Sequence, residues 1–217
     1  MTPIVVSRVG ASHDGGAAEG YASASHIRQL LRQGDGDAAL AFLPAAAAEV
    51  LLRELAAGRI ADGALVERAI LARLRQMTEE EFAAYDGGGE GLYHRVYDVV
   101  RRCATVEELL AAVKTKRYTA ARLRRMVLSA WLGLPKAPET VPYARVLAAN
   151  ETGRALLRQM RKAGAPVLTK AADVGRLGPS AEALFTREAR RTDVYALACP
   201  GSPLPCGSDW RRTPMMI

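Results

Sequence analysis

Six of the fourteen residues in "VKTKRYTAARLRRM", Val113 to Met126, are Lys or Arg, and none is Asp or Glu. Lys114, Lys116 and Arg117 precede Thr119, and Arg122 and Arg125 lie three apart beyond it. Tyr118 adds a ring of the kind that stacks on a base. From Leu109 to Pro138 there are seven basic residues and no acid, which equals the whole net charge of +7. The rest of the chain is therefore neutral, and the positive excess is local. A local basic patch is the footprint expected for a phosphate backbone. The plainer reading is a solubilising helix end, but such faces mix their signs, as "AEVLLRELAAGRIAD" does here. With no acids to pair with, the stretch favours nucleic acid.

A second candidate is "YASASHIR". Ser23 and Ser25 stand where a loop becomes a helix, and Arg28 lies one turn in. Free amides, hydroxyls and a guanidinium converging there suit a phosphate. Taken on the residues alone, ordinary serine capping with a surface arginine is favoured. Other patterns carry less. His13, His26 and His94 have no metal-ligand spacing, Cys199 and Cys206 lack a second pair, and no metal site is assigned. "GDGDAA" follows a helix where a dinucleotide fingerprint would follow a strand. Glu79 to Glu81 form an acidic first turn, "DGGGEG" reads as a connection between helices, and no nucleophile–base pair emerges.

The elements that must hold these residues are mostly helices. Aromatics are only 6% while alanine is plentiful, which disfavours sandwiches and barrels. Ile4 to Val6 read as a short buried strand, followed by a Gly- and Ser-rich loop and a helix from near Ser25 to Gly34. "LPAAAAEVLLRELAAG" starts near Pro44 and stops at Gly58. Val66, Ile70, Leu74 and Met77 repeat as one helical stripe. Thr78 with Glu81 has capping-box spacing, and Thr105 with Glu108 repeats it. Leu92, Val96, Val99, Val100 and Cys103 share a face. Thr119 caps a helix with Leu123, Met126, Val127, Ala130 and Trp131 inward, ended by Gly133 and Pro135. Beyond "GLPKAPETVP", the order is strand "YARVLAAN", helix "ETGRALLRQMRKAG", strand "APVLTK" and helix "SAEALFTREARRTDVYALAC". That order suggests a small α/β unit with a parallel pair. The tail "PGSPLPCGSDWRRTPMMI" has no periodicity and reads as loop or extended packing. Three cysteines, an odd number, and no signal peptide place the chain in a reducing cytoplasm, and no apolar run approaches membrane-spanning length.

Several segments in order resemble the tRNA(Met) cytidine acetate ligases, a nucleotidyltransferase-like family. They are "VSRVGASHD", "YASASHIR", "EGLYHRVYDVVRRCATVEELLAAVKTKRYTAARLRRM", "ARVLAANETGRALLRQMRK", "PVLTK" and "VYALACPGSPLPCGSDWRRTPMMI". The long middle segment is rather specific; "ASASHIR" resembles an element shared by many adenylyl-transferring enzymes. The resemblance implies an enzyme that activates acetate with ATP as acetyl-adenylate and passes the acetyl group to the wobble cytidine of elongator tRNA(Met). It implies ATP as the cofactor, compatible with Mg, and tRNA as the partner. By position, Arg8, Ser23, Ser25 and Arg28 match the ATP side, and Lys114, Lys116, Arg117, Arg122 and Arg125 the RNA side, to which the residue reading adds Tyr118.

Family members also open with a His-x-x-His-type motif that grips ATP, and no two of the three histidines here stand three apart. The resemblance therefore reads as the C-terminal portion of the family protein. The expected fold is mainly α: a remnant of a Rossmann-like α/β nucleotide domain at 1–33, a helical basic domain at 34–138, and a small α/β subdomain with tail at 139–217. The expected role is tRNA binding, with no acetyl-adenylate formed by this chain alone. The alternatives are a stand-alone, non-catalytic RNA-binding helical module and a helical protein-interaction domain.

Overall fold

Side-chain caps set where most helices begin. In the computed structural model, which describes residues 4–5, 10, 16–18, 20–85, 91–134, 140–201 and 205–217, Ser23 accepts the His26 N–H and opens α1 (Ala24–Arg32). Asp35 caps α2 (Gly36–Leu40), and α3 (Ala45–Ala56) follows Pro44. Gly58, at φ 63°, takes the left-handed conformation that lets the chain leave α3. The His26 ring meets Phe42 edge-on at 5.8 Å, tying α1 to the segment after α2. Before α1, β1 (Ala17–Ala18) and β2 (Tyr21–Ala22) pair antiparallel.

The strand expected over Ile4–Val6 is corrected here. Ile4 and Val5 are each 89% exposed and in no strand, while Val6 lies outside the described residues. A short apolar run with no neighbouring ladder cannot pair its backbone groups. The Rossmann-like remnant is likewise not seen among the described residues of 1–33, which hold one antiparallel pair and α1.

Two compact units emerge, residues 1–59 and 60–217; the sequence reading placed its boundaries after 33 and 138. The second unit contains the main helical core. Asp62 caps α4 (Gly63–Gln76), whose Val66, Ile70, Leu71 and Leu74 are buried. Thr78 and Glu81 form a reciprocal capping box on α5 (Glu79–Ala83). α6 (Leu92–Val100) buries Leu92, Val96 and Val100, and α7 (Val106–Val113) buries Leu109 and Val113. α8 (Ala120–Leu132) closes the cluster with Leu123, Met126, Val127 and Ala130. Fully buried side chains such as Leu74, Phe82 and Leu109 each contribute about 2 kcal/mol of transfer free energy.

The C-terminal part holds two short parallel strand pairs beside its own core. β3 (Ala144–Arg145) pairs parallel with β5 (Val167–Leu168), as expected from sequence. After a break at Val146–Leu147, β4 (Ala148–Ala149) pairs parallel with β6 (Met215–Met216). The N–H groups of Ala144 and Val146 donate toward β5, while Leu147 and Ala149 carbonyls accept from Met215 and Ile217. Because alternate residues of a strand address opposite edges, residues 144–149 hold β5 on one side and β6 on the other. The helix α9 (Glu151–Lys162) links β4 to β5. A 3-10 helix (Ala171–Leu177) leads into α10 (Pro179–Ala196), whose Phe185 and Ala189 pack with Tyr143, Leu168 and Val174.

A buried polar latch holds the described tail residues 205–217. Asp209, on α11 (Ser208–Arg211), is 4% exposed. It accepts from Arg145 at 3.1 Å and from the Thr192 hydroxyl at 2.7 Å. Trp210 stacks edge-on against Phe185 at 4.7 Å, and the Arg145 guanidinium lies 4.9 Å from the same ring.

Candidate nucleic-acid interface

The basic run spans the connection between α7 and α8, and a turn decides which of its side chains face out. Thr115 Oγ1 accepts the Tyr118 N–H at 3.1 Å, and the Thr115 N–H donates to the Tyr118 carbonyl. The chain therefore folds back over residues 115–118. Lys116 and Arg117 sit on the exposed side of this turn, and Tyr118 turns inward. Thr119 then caps α8, its Oγ1 accepting the Arg122 N–H. The buried stripe Leu123, Met126 and Val127 leaves Arg124 and Arg125 exposed and Arg122 half-buried.

Five cations, Lys114, Lys116, Arg117, Arg124 and Arg125, are thus exposed around the start of α8. The first turn of α8 has no acid. A helix N-terminus carries partial positive charge and is stabilised by acids, so cations gathered there add to the positive potential. The arrangement costs stability locally and gains attraction for polyanions. Lys136, which completes the basic window, lies outside the described residues.

Tyr118 departs from expectation. It is 8% exposed and packs in the helical core. The Arg117 and Arg122 guanidinium carbons lie 5.8 and 5.4 Å from its ring centroid. A ring enclosed by core and cations is a packing residue, and stacking on a base would require its removal from that core. The reason is positional: Tyr118 immediately precedes the cap, where the chain enters the apolar side of α8.

The second candidate group lies in the other compact unit, at the start of α1. Ser23 is 3% exposed, and its hydroxyl oxygen is engaged in capping. Ser25 and Arg28 are exposed, three apart on one side of α1, and the first turn has no acid. Arg8 lies outside the described residues. Ser25, Arg28 and the first-turn amides fit an anionic phosphate; Ser23 supports the turn that presents them.

None of these residues lines the open groove of about 620 Å³ beside β4 and α9, which is bordered by Leu147, Leu156, Leu157 and Ile217. The sequence reading also passed over two features. One is the Arg145–Asp209–Thr192 latch, whose members lie far apart in the chain and carry no motif. The other is a row of cations on α9, which counting charges at helical spacing would have found. Among the described residues there is no group of three or more His, Cys, Asp or Glu placed to hold a metal ion, and no helix is long and apolar enough to cross a membrane.

Comparison with known proteins bears on this arrangement. A tRNA(Met) cytidine acetate ligase of Kosmotoga olearia is 34% identical over 178 residues, covering 78% of this chain and 42% of that protein. The crystal structure of apo TmcAL from Thermotoga maritima superposes with a TM-score of 0.87 at 26% identity, covering 98% of this chain and 55% of that one. A second crystal form of that protein, bound with alpha-thio ATP, shows the same fold at a TM-score of 0.81 and 24% identity, covering 92% and 53%. The chain spans about half the length of the curated relatives it matches. A family model described as HIGH Nucleotidyl Transferase matches residues 1–204. That match starts at residue 1, so it does not support the expectation that the family's N-terminal portion is missing. Matched over nearly its whole length, this chain belongs to the HIGH nucleotidyl transferase family.

Proposed function

We propose that this chain serves in ATP-dependent acetylation of tRNA(Met) cytidine, and that the connection between α7 and α8 holds the tRNA. The observation that carries this reading is the group of five exposed cations at the start of α8. They lie in a window with no acid that equals the whole net charge of +7, in a chain whose family match covers them. Lys114, Lys116, Arg117, Arg122 and Arg125 contact phosphates, and Tyr118 supports them from the core. The names of the curated relatives supply the substrate class.

Ser25 and Arg28, with Arg8 and the capping Ser23, form the ATP-facing group in this reading. ATP with its metal ion would supply the activation of acetate. The residues of this chain would orient the phosphates through α1 amides and the Arg28 guanidinium. No His-x-x-His motif occurs in these residues. Charge stabilisers must be preorganised around a leaving pyrophosphate, and Arg8 and Arg28 alone do not surround it. The 217-residue chain by itself is therefore expected to bind tRNA without forming acetyl-adenylate.

The test is a low-salt binding titration with total tRNA. Binding that weakens steeply with added salt is the expected result. Replacing Lys116, Arg117 and Arg122 with Gln should weaken it and flatten the salt slope. Absence of tRNA binding at low salt would overturn the reading.

A further inference from the structure

We infer that the solvent-facing side of α9 is a second phosphate-backbone contact for the RNA bound at the start of α8. This rests on the RNA reading proposed above and extends it to residues outside that window. Arg154, Arg158, Arg161 and Lys162 are all exposed. Their spacing of four, three and one residues puts them within roughly a 100° arc, along about 12 Å of helix. The half-buried side of the same helix, Gly153, Leu157 and Met160, faces away from this arc.

Simpler explanations account for part of the row. Arg161 and Lys162 lie in the last turn, where cations complement the helix dipole, and Arg161 donates to Thr169 Oγ1 at 2.6 Å. Arg154 lies 3.6 Å from Glu151, the acid of the first turn. Arg158 is in mid-helix, where the dipole offers nothing, and neither it nor Lys162 has an ion-pair partner among the described residues. Like charges four apart on a helix repel by a few tenths of a kcal/mol, so the row is unfavourable until an anion meets it. A solubilising face looks different in this same protein: α3 carries Glu49 and Arg53, both exposed, and Arg53 pairs with Glu54 at 3.1 Å. α8 and α9 belong to one compact unit, and one RNA must reach both, which the paired variants below test. A phosphate backbone suits the row better than an acidic peptide, because regularly spaced charge meets regularly spaced cations without needing an apolar pocket.

The test compares two double variants of the full chain, Arg158→Gln with Lys162→Gln and Lys116→Gln with Arg117→Gln, by fluorescence anisotropy with labelled total tRNA across a salt series. Both pairs are exposed, and unchanged circular dichroism and thermal midpoint verify folding. The α9 pair should weaken binding several-fold at low salt and reduce the slope of log K against log salt by about two, roughly one per lost phosphate contact. A wild-type slope and affinity for the α9 pair, with loss only in the connector pair, overturns this inference and leaves the connector reading standing. Loss only in the α9 pair overturns the connector reading and, with it, the inference that α9 is a second contact beside the connector. No tRNA binding by the wild type, or no effect of either pair, overturns both. Equal affinity for polyglutamate and tRNA of matched charge would overturn the RNA assignment.

Discussion

Asp209 shows how a single buried acid organises the C-terminal part. Burial by itself would raise its pKa, but the hydrogen bonds from Thr192 and Arg145 outweigh burial and hold it below its ordinary 3.8. The unfolded chain therefore binds the proton more tightly than the folded one. The resulting stabilisation is complete above about pH 5 and is lost as pH falls through the folded-state value. Asp209→Asn is expected to flatten the fall in thermal midpoint below that pH, read by thermal denaturation across a pH series. Asp209→Ala leaves Arg145 half-buried and unpaired and should cost about 3 kcal/mol in urea unfolding at neutral pH. Tyr143 behaves in the opposite direction: burial, then the hydrogen bond it donates to Glu188, raises its phenol. The burial of Tyr118 gives a sharper test of its role. Tyr118→Ala should lose about 3 kcal/mol of stability as a core truncation, while Tyr118→Leu, which keeps apolar bulk without a ring, should keep wild-type tRNA affinity if the ring only packs. A selective affinity loss in Tyr118→Leu, with folding intact, would contradict the packing role.

The helices are the scale at which sequence was most readable. Thr78 with Glu81 has the spacing of a capping box, and the reciprocal hydrogen bonds are present. Thr105 and Thr119 cap α7 and α8 as their sequence context indicates. These interactions span three residues, so nothing distant can rearrange them. Thr119→Ala should cost about 1 kcal/mol, measured by urea denaturation, and should raise amide exchange in the first turn of α8. The turn over residues 115–118 was not legible, because it depends on Thr115 bonding to Tyr118 and on the core accepting that ring. Residues 144–149 read as one strand, and the chain instead serves two partners through its two halves. The second partner lies some seventy residues away in a segment with no periodicity, so no local pattern announces it.

At the scale of the whole molecule, the tail matters more than its composition suggests. β6 pairs with β4, and α11 sets Asp209 against Thr192 and Arg145 and Trp210 against Phe185. The Met215 and Ile217 amides donate to the Leu147 and Ala149 carbonyls, so both are expected to show protection in hydrogen–deuterium exchange. Exchange at unprotected rates at both amides would show that β6 does not hold β4. Function at this scale concerns the catalytic step. Purified chain mixed with ATP and acetate is expected to release no pyrophosphate above background; robust release would show that these 217 residues assemble a sufficient site.

The amino-acid order alone determined the helical starts, the buried stripes of α4, α6 and α8 and the location of the positive excess. Each of these depends on neighbours within a turn or two, or on a simple count. Only the tertiary structure decided that Tyr118 enters the core, that Ile4 and Val5 stay exposed, that β6 pairs with β4, and that Asp209 meets Arg145 and Thr192. Those outcomes depend on which distant surfaces meet. The loop-closure cost of bringing them together is offset only when apolar area and paired polar groups are buried at once.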